Sequence, residues 1–270
     1  MDPLRRLKEA RVLRPVLGYL YDRRFKANTQ GQLFLGVFDT AAAAAASAPG
    51  HLPMGYDQPA AAAMYRDQLD HVALEDYPVL YWLRRLGPEV HRLFDYGGHV
   101  GVKYYAYARY LSFPADFVWT VCDVAAVARA GAALAQEKGA GNLRFVTDVA
   151  AVDGQDLLMC SGSLQYIEPA LSAQLRPVAR KPKHVVVNAA PYHDGRTFFT
   201  LNSIGTAFCP YKVQNLGAFV AGMSQLGYEL VDRWTIPGKG CVVPLHPELS
   251  VHAYTGMYLR LRQPSTKAEP

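Results

Sequence analysis

The stretch FDYGGHVG, Phe94 to Gly101, places an acid and three glycines at the end of an apolar run, HRLF. Glycine lets main chain approach a partner with no Cβ between them. A plain turn needs one glycine, or two. Gly97, Gly98 and Gly101 with Asp95 in front therefore read as backbone laid against a ligand, and the acid limits which ligand that is. A dinucleotide loop runs GxGxxG and seats a pyrophosphate on a helix N-terminus. Here the order is DxGGxxG, and a carboxylate repels a pyrophosphate but attracts an ammonium group.

Two more acids stand after apolar segments. Asp123 closes FVWTVCD, 28 residues after Asp95, and Asp148 closes NLRFVTD. S-adenosylmethionine (SAM) carries an ammonium, a sulfonium and a ribose diol but no phosphate, so it suits this acid set better than a dinucleotide does. The glycine loop would meet its amino-acid end, Asp123 its ribose hydroxyls, and Asp148 or Val149 its adenine. Ser161 and Gly162, after the buried run DLLMC, and Tyr104, just past the loop, complete the expected cofactor contacts.

These residues need a scaffold that brings segment ends together. From residue 88 the chain alternates apolar strand signals with helical ones: strands at 91–96, 117–123, 142–148, 156–163 and 183–191, and helices at 102–113, 124–139, around ALSAQLRPVA, and at 216–227. That alternation predicts a parallel sheet covered on both faces, with ligands outside the carboxyl ends of the strands where their order reverses. YELVDRWTI and AYTGMYLRLR have no helix between them and are expected to pair antiparallel. The predicted fold is α/β and Rossmann-like, mostly parallel with an antiparallel last strand. Residues 1–87 read as an N-terminal helical cap, 88–262 as the cofactor-binding domain and 263–270 as a disordered tail. In the cap, the alanine run 41–46 follows a cap signal at Asp39 or Thr40. Val79, Leu80, Leu83 and Leu86 recur at helical spacing.

The net charge of +5 lies in residues 1–26, which hold eight basic and three acidic residues; the remainder is balanced. The body therefore lacks the basic footprint of a nucleic-acid binder, and the basic N-terminal helices are a candidate homodimer contact. No apolar run approaches the roughly 18–20 residues of a membrane span, and no secretory signal opens the chain; a cytoplasmic protein is expected. Cys122, Cys160, Cys209 and Cys241 form no CxxC pair, and no metal is expected.

FDYGGHVG, VCD, RFVTD and LLMCSGSLQYIEP resemble the cofactor motifs of class I SAM-dependent methyltransferases. FLGVFDT, GYDQ, DYPVLYWL, SGSLQYIEP and GYELVDRW, in that order, resemble one poorly characterised family of putative methyltransferases, over most of residues 34–260. The chain departs from that pattern at Asp123, where glutamate is usual, and at Asn188, where an acid is usual. The resemblance implies methyl transfer to oxygen or nitrogen of a small-molecule acceptor, a secondary metabolite or a sugar-type compound, with S-adenosylhomocysteine as product. It also implies that the Gln165–Tyr166 segment lies under the transferring methyl group.

The catalytic candidates are His193, His99 and Tyr166. His99 sits in the glycine loop and His193 follows the fifth strand; a histidine suits proton removal near neutral pH. Gln165, Tyr166, Asn188, His193 and Tyr56 are the candidate acceptor contacts, with Tyr56 in the loop HLPMGYD of the cap. A nicotinamide-dependent oxidoreductase and a non-catalytic SAM-fold module are the competing readings.

Overall fold

The computed structural model describes residues 14–114 and 116–262. The first half of the basic segment and the tail expected from 263 lie outside these residues. The chain opens with α1 (Arg14–Lys26), β1 (Leu33–Phe38), α2 (Ala41–Ala46), α3 (Pro59–Ala63) and α4 (Tyr77–Leu86). It continues with β2 (Arg92–Tyr96), α5 (Val102–Tyr107), β3 (Val118–Cys122), α6 (Ala125–Glu137), β4 (Leu143–Val146), β5 (Leu157–Ser161), α7 (Leu171–Leu175) and β6 (His184–Ala190). Three further strands follow, β7 (Tyr192–His193), β8 (Phe198–Ser203) and β9 (Phe208–Asn215), and then α8 (Leu216–Gln225), β10 (Tyr228–Ile236) and β11 (Tyr254–Leu261).

The main sheet has the order β10-β11-β6-β5-β2-β3-β4. Strands β2 to β6 are parallel, and β11 runs antiparallel to both β6 and β10. Strand β6 is buried at every position, as expected of a strand covered on both faces. Val79, Leu83, Tyr104 and Tyr107 from α4 and α5 pack on one face, and Leu171, Leu175, Phe219 and Met223 from α7 and α8 on the other. The order reverses between β2 and β5. Register pairs Tyr96 with Cys122, Cys122 with Val146, and Ser161 with Asn188, so the segments after these strands emerge along one edge.

A second sheet, β1-β8-β9-β7, was not anticipated. Strand β1 pairs antiparallel with β8, Leu33 opposite Ser203 and Leu35 opposite Leu201. The residues before 88 are thus not purely helical, and their strand is completed by residues 198–215 of the body. Thr40 caps α2, its hydroxyl accepting the Ala43 N–H at 3.1 Å. Phe25 on the inner face of α1 stacks on Phe208, while Val16, Tyr19 and Leu20 on the outer face are exposed. Among the described residues no helix is long and apolar enough to cross a membrane.

Candidate cofactor site

The glycine loop turns sharply from β2 to α5 at the point of strand reversal. Gly97 has φ +75, and its N–H donates to the carbonyl of Cys122 at 2.8 Å. A Cβ on Gly97 would lie 2.3 Å from that of Ser163, and a Cβ on Gly98 would lie 2.3 Å from Asp95 Oδ2. The loop is therefore pressed between the segment after β5 and the carboxylate at its own root. Ser163 Oγ, donating to the carbonyl of Tyr96, ties the two post-strand segments together. Gly101 ends the loop as the cap residue of α5.

Asp95 is 1% exposed and accepts the indole N–H of Trp119 at 3.1 Å. Burial pushes its pKa up to about 7; the Trp119 bond opposes that rise and the charge of Asp123 adds to it. Asp95 lies beneath the loop instead of lining an open surface. Asp123 accepts the His99 N–H at 2.9 Å on Oδ2 and the Val124 N–H at 2.8 Å on Oδ1. Burial raises its pKa as well, with these two donors opposing and the charge of Asp57 adding to the rise. Asp148 is exposed and accepts the Ala150 N–H at 2.8 Å, starting the turn that carries the half-buried Val149.

After β5, Ser161 accepts from Asn188 Nδ2 at 3.3 Å, and the Gly162 N–H donates to the carbonyl of Asn188 at 2.9 Å. Gln165 Nε2 donates to the carbonyl of Gly162 at 2.8 Å, which fixes its amide orientation and leaves Oε1 buried without a donor. Tyr166 donates to Asn202 Oδ1 at 3.0 Å, and its ring meets those of Tyr56 and Tyr211 edge-on, both at 5.2 Å between centroids. Tyr56 lies in the loop before α3, and its ring contact with Tyr166 brings that loop against the segment after β5.

Several expected contacts point elsewhere. Tyr104 turns its ring into the core against Trp119 and Phe113, and its hydroxyl donates to Asn142 before β4, at the opposite edge from the glycine loop. Asn188 is fully buried, with Oδ1 accepting the Trp234 indole N–H at 3.0 Å. Both nitrogens of His193 are engaged by main chain: Nε2 donates to the carbonyl of Glu248 at 3.0 Å, and Nδ1 accepts from Gly195 and Arg196 at 3.0 and 3.3 Å. His99 has φ +57 and turns away from the sheet; its Nε2 donates to the carbonyl of Ala61 at 2.9 Å, and Nδ1 is buried without a partner. Burial lowers its pKa, which favours the neutral ring, while the Ala61 bond opposes that shift.

Three participants were not singled out from sequence. Asp57 accepts the Ala126 N–H at 2.7 Å, Tyr65 meets the His99 ring at 4.8 Å, and Asn202 holds Tyr166. Only Asp57 carries a sequence cue, an acid two residues before Pro59 in a loop. A separate cavity of about 280 Å³, lined by Leu83, Val90, Leu93, Phe113, Phe117 and Trp119 among others, opens at the amino-terminal edge of the sheet and holds none of these acids.

No protein-family pattern and no curated protein matches the chain. Among solved structures it is similar to magnesium protoporphyrin IX methyltransferase (ChlM) from Synechocystis PCC 6803 with bound S-adenosylhomocysteine. That likeness has 14% identity and a TM-score of 0.47, covering 69% of this chain and 81% of that one. The CcbJ methyltransferase from Streptomyces caelestis is similar at 10% identity and a TM-score of 0.47, over 77% of this chain and 98% of that one. The N-terminal domain of EvdMO1 with bound S-adenosylhomocysteine is similar at 14% identity and a TM-score of 0.45, over 71% and 83%.

Proposed function

We propose that this chain is a SAM-dependent methyltransferase that moves a methyl group to an oxygen or nitrogen of a small-molecule acceptor. The observation that carries this reading is the convergence, at the strand reversal, of a glycine loop with no room for a Cβ and two carboxylates whose pKa values are both raised. A crevice that holds acids at that cost favours a cationic ligand over a phosphate.

The residues present fit SAM. A carboxylate has about four lone-pair sites; Asp123 uses two on the His99 and Val124 N–H groups and keeps acceptor capacity for a ribose diol. Asp95, shielded by Trp119 and the loop, acts on an ammonium group through its field and not by contact. Main chain at Gly97 and Gly98 receives the amino-acid end, the buried Oε1 of Gln165 accepts an N–H, and Asp148 and Val149 flank the adenine. When bound, SAM supplies an electrophilic methyl group for in-line displacement.

The chain's own part in the reaction is to align the acceptor and, for a hydroxyl, to take its proton. Tyr56 and Tyr166 form the apolar walls on the acceptor side. His99 is the histidine assigned as base: the bond from Nε2 to the carbonyl of Ala61 fixes the tautomer that carries its lone pair on Nδ1, which is buried without a protein partner. His193, with both nitrogens engaged, serves as a structural residue. A secondary metabolite or sugar-type acceptor rests on the sequence resemblance alone. Thermal shift of the full chain against SAM, S-adenosylhomocysteine and NAD tests the reading, because a ligand at 100 times its Kd stabilises by about 2.7 kcal/mol. Stabilisation by the two adenosyl compounds and not by NAD is expected. The reverse pattern favours the oxidoreductase, and turnover-free SAM binding the non-catalytic module.

A further inference from the structure

Helix α6 needs a cap that its own sequence does not supply. The first N–H groups of a helix have no partner within it, and the cap position is Val124, which has no side-chain acceptor. Asp123 takes the Val124 N–H, and the Ala126 N–H goes to Asp57, far upstream in the chain, at 2.7 Å. A carboxylate is favourable at this pole of the helix dipole.

Asp57 belongs to residues 55–65, which bridge two parts of the molecule. At one side, the Gly55 N–H donates to the carbonyl of Phe208 at 2.9 Å and Gln58 Nε2 to that of Thr206 at 3.3 Å, which anchors the segment on the β8–β9 turn of the second sheet. At the other side, α3 consists of proline and alanine only and offers no polar side chain. Its hydrogen bond to the glycine loop is the one from His99 Nε2 to the carbonyl of Ala61, and Ala62 packs against Val100 and Val127. The two polar attachments, at His99 and at Ala126, flank Asp123, whose own oxygens bond His99 and Val124. The segment thus straddles the acid assigned above to the ribose.

We propose that residues 55–65 are a lid over the crevice and that Asp57 is the positioning residue that latches it, by giving α6 its missing cap when the lid is shut. The gating part of this inference rests on the reading of the crevice as the cofactor site. Opening the lid uncaps α6, so cofactor exchange is opposed by the loss of that bond.

The test compares wild type, Asp57→Ala and Asp57→Asn as full chains, because asparagine keeps the oxygen that accepts the Ala126 N–H. Hydrogen–deuterium exchange of peptides spanning 55–65, without cofactor, is expected to quicken about fivefold in Asp57→Ala, the effect of a typical N-cap contact, and to stay near wild type in Asp57→Asn. Stopped-flow dissociation of S-adenosylhomocysteine is expected to accelerate by a similar factor in Asp57→Ala alone. Wild-type exchange in Asp57→Ala, or equal acceleration in both variants, overturns the latch. Faster exchange with an unchanged dissociation rate overturns the gating. A wild-type chain that binds no S-adenosylhomocysteine removes the cofactor reading, and the gating with it, while the exchange result still judges the latch.

Discussion

The main-chain N–H of His99 donates to the carboxylate of Asp123 at 2.9 Å, so the acid that ends β3 also holds the glycine loop that follows β2. One side chain thereby ties the glycine loop to the start of the segment after β3. Asp123→Ala leaves the His99 and Val124 N–H groups without their acceptor and removes the proposed ribose contact. Hydrogen bonds to a charged group contribute roughly 1.5–3 kcal/mol each, so the Kd for S-adenosylhomocysteine is expected to rise by about tenfold to a hundredfold by calorimetry, with Asp123→Asn in between. An unchanged Kd in Asp123→Ala contradicts the assignment.

Gly97 and Gly162 give a matched pair for the loop geometry. Their φ values are +75 and +72, so alanine at either meets the same left-handed backbone penalty of about 1–2 kcal/mol. At Gly162 nothing lies within 4 Å of the added Cβ, whereas at Gly97 it falls 2.3 Å from Ser163 Cβ. Gly97→Ala is therefore expected to cost a further ~1–3 kcal/mol in urea unfolding. Equal losses in the two variants mean that the segments after β2 and β5 are not in contact.

Much of this arrangement was legible in the sequence, for a physical reason. Strands β2 to β6 are predominantly apolar segments followed by an acid or a turn, and such segments keep their identity whatever packs on them. Hence the main sheet, the antiparallel pair at its end, and the positions of Asp95, Asp123 and Asp148 along one edge agree with expectation. The second sheet was hidden because β8 and β9 bury polar side chains: Thr200, Asn202, Ser203, Lys212 and Gln214 break the apolar alternation that signals a strand. Side-chain direction was also beyond reach. Tyr104 faces the core because Trp119 and Phe113 line that side of α5, and His99 faces α3 through a contact that no local pattern encodes.

The raised pKa of Asp95 gives stability a defined pH dependence. Its carboxyl moves from the usual 3.8 to about 7 in the folded chain, so between these values the folded state holds a proton that the unfolded state has released. The stability of the ligand-free protein is expected to fall as pH rises from about 4 to about 7, and Asp95→Asn should flatten that slope. A ligand bearing an ammonium group favours the ionised acid, so binding of S-adenosylhomocysteine near pH 6.5 should release protons. Calorimetry in buffers of different ionisation enthalpy reads that release directly; identical heats in all buffers contradict it.

The two candidate histidines separate by mutation. His193→Ala removes a main-chain clamp at Gly195, Arg196 and Glu248; it is expected to lower the melting temperature and leave kcat/KM within about twofold, the effect of a residue without transition-state contact. His99→Ala removes the proposed base, and kcat for a hydroxyl acceptor is expected to drop about 10²–10⁴-fold. Steady-state kinetics with a turned-over acceptor decide between them. Unchanged kcat in His99→Ala excludes it as the base.

The most direct measurement is titration of S-adenosylhomocysteine into the intact protein at pH 8, above the raised pKa of Asp95, with NAD as a parallel ligand. The account predicts one saturable site for the adenosyl compound, weakened in Asp123→Ala, and no saturable site for NAD. Saturable NAD binding with no heat from S-adenosylhomocysteine contradicts it.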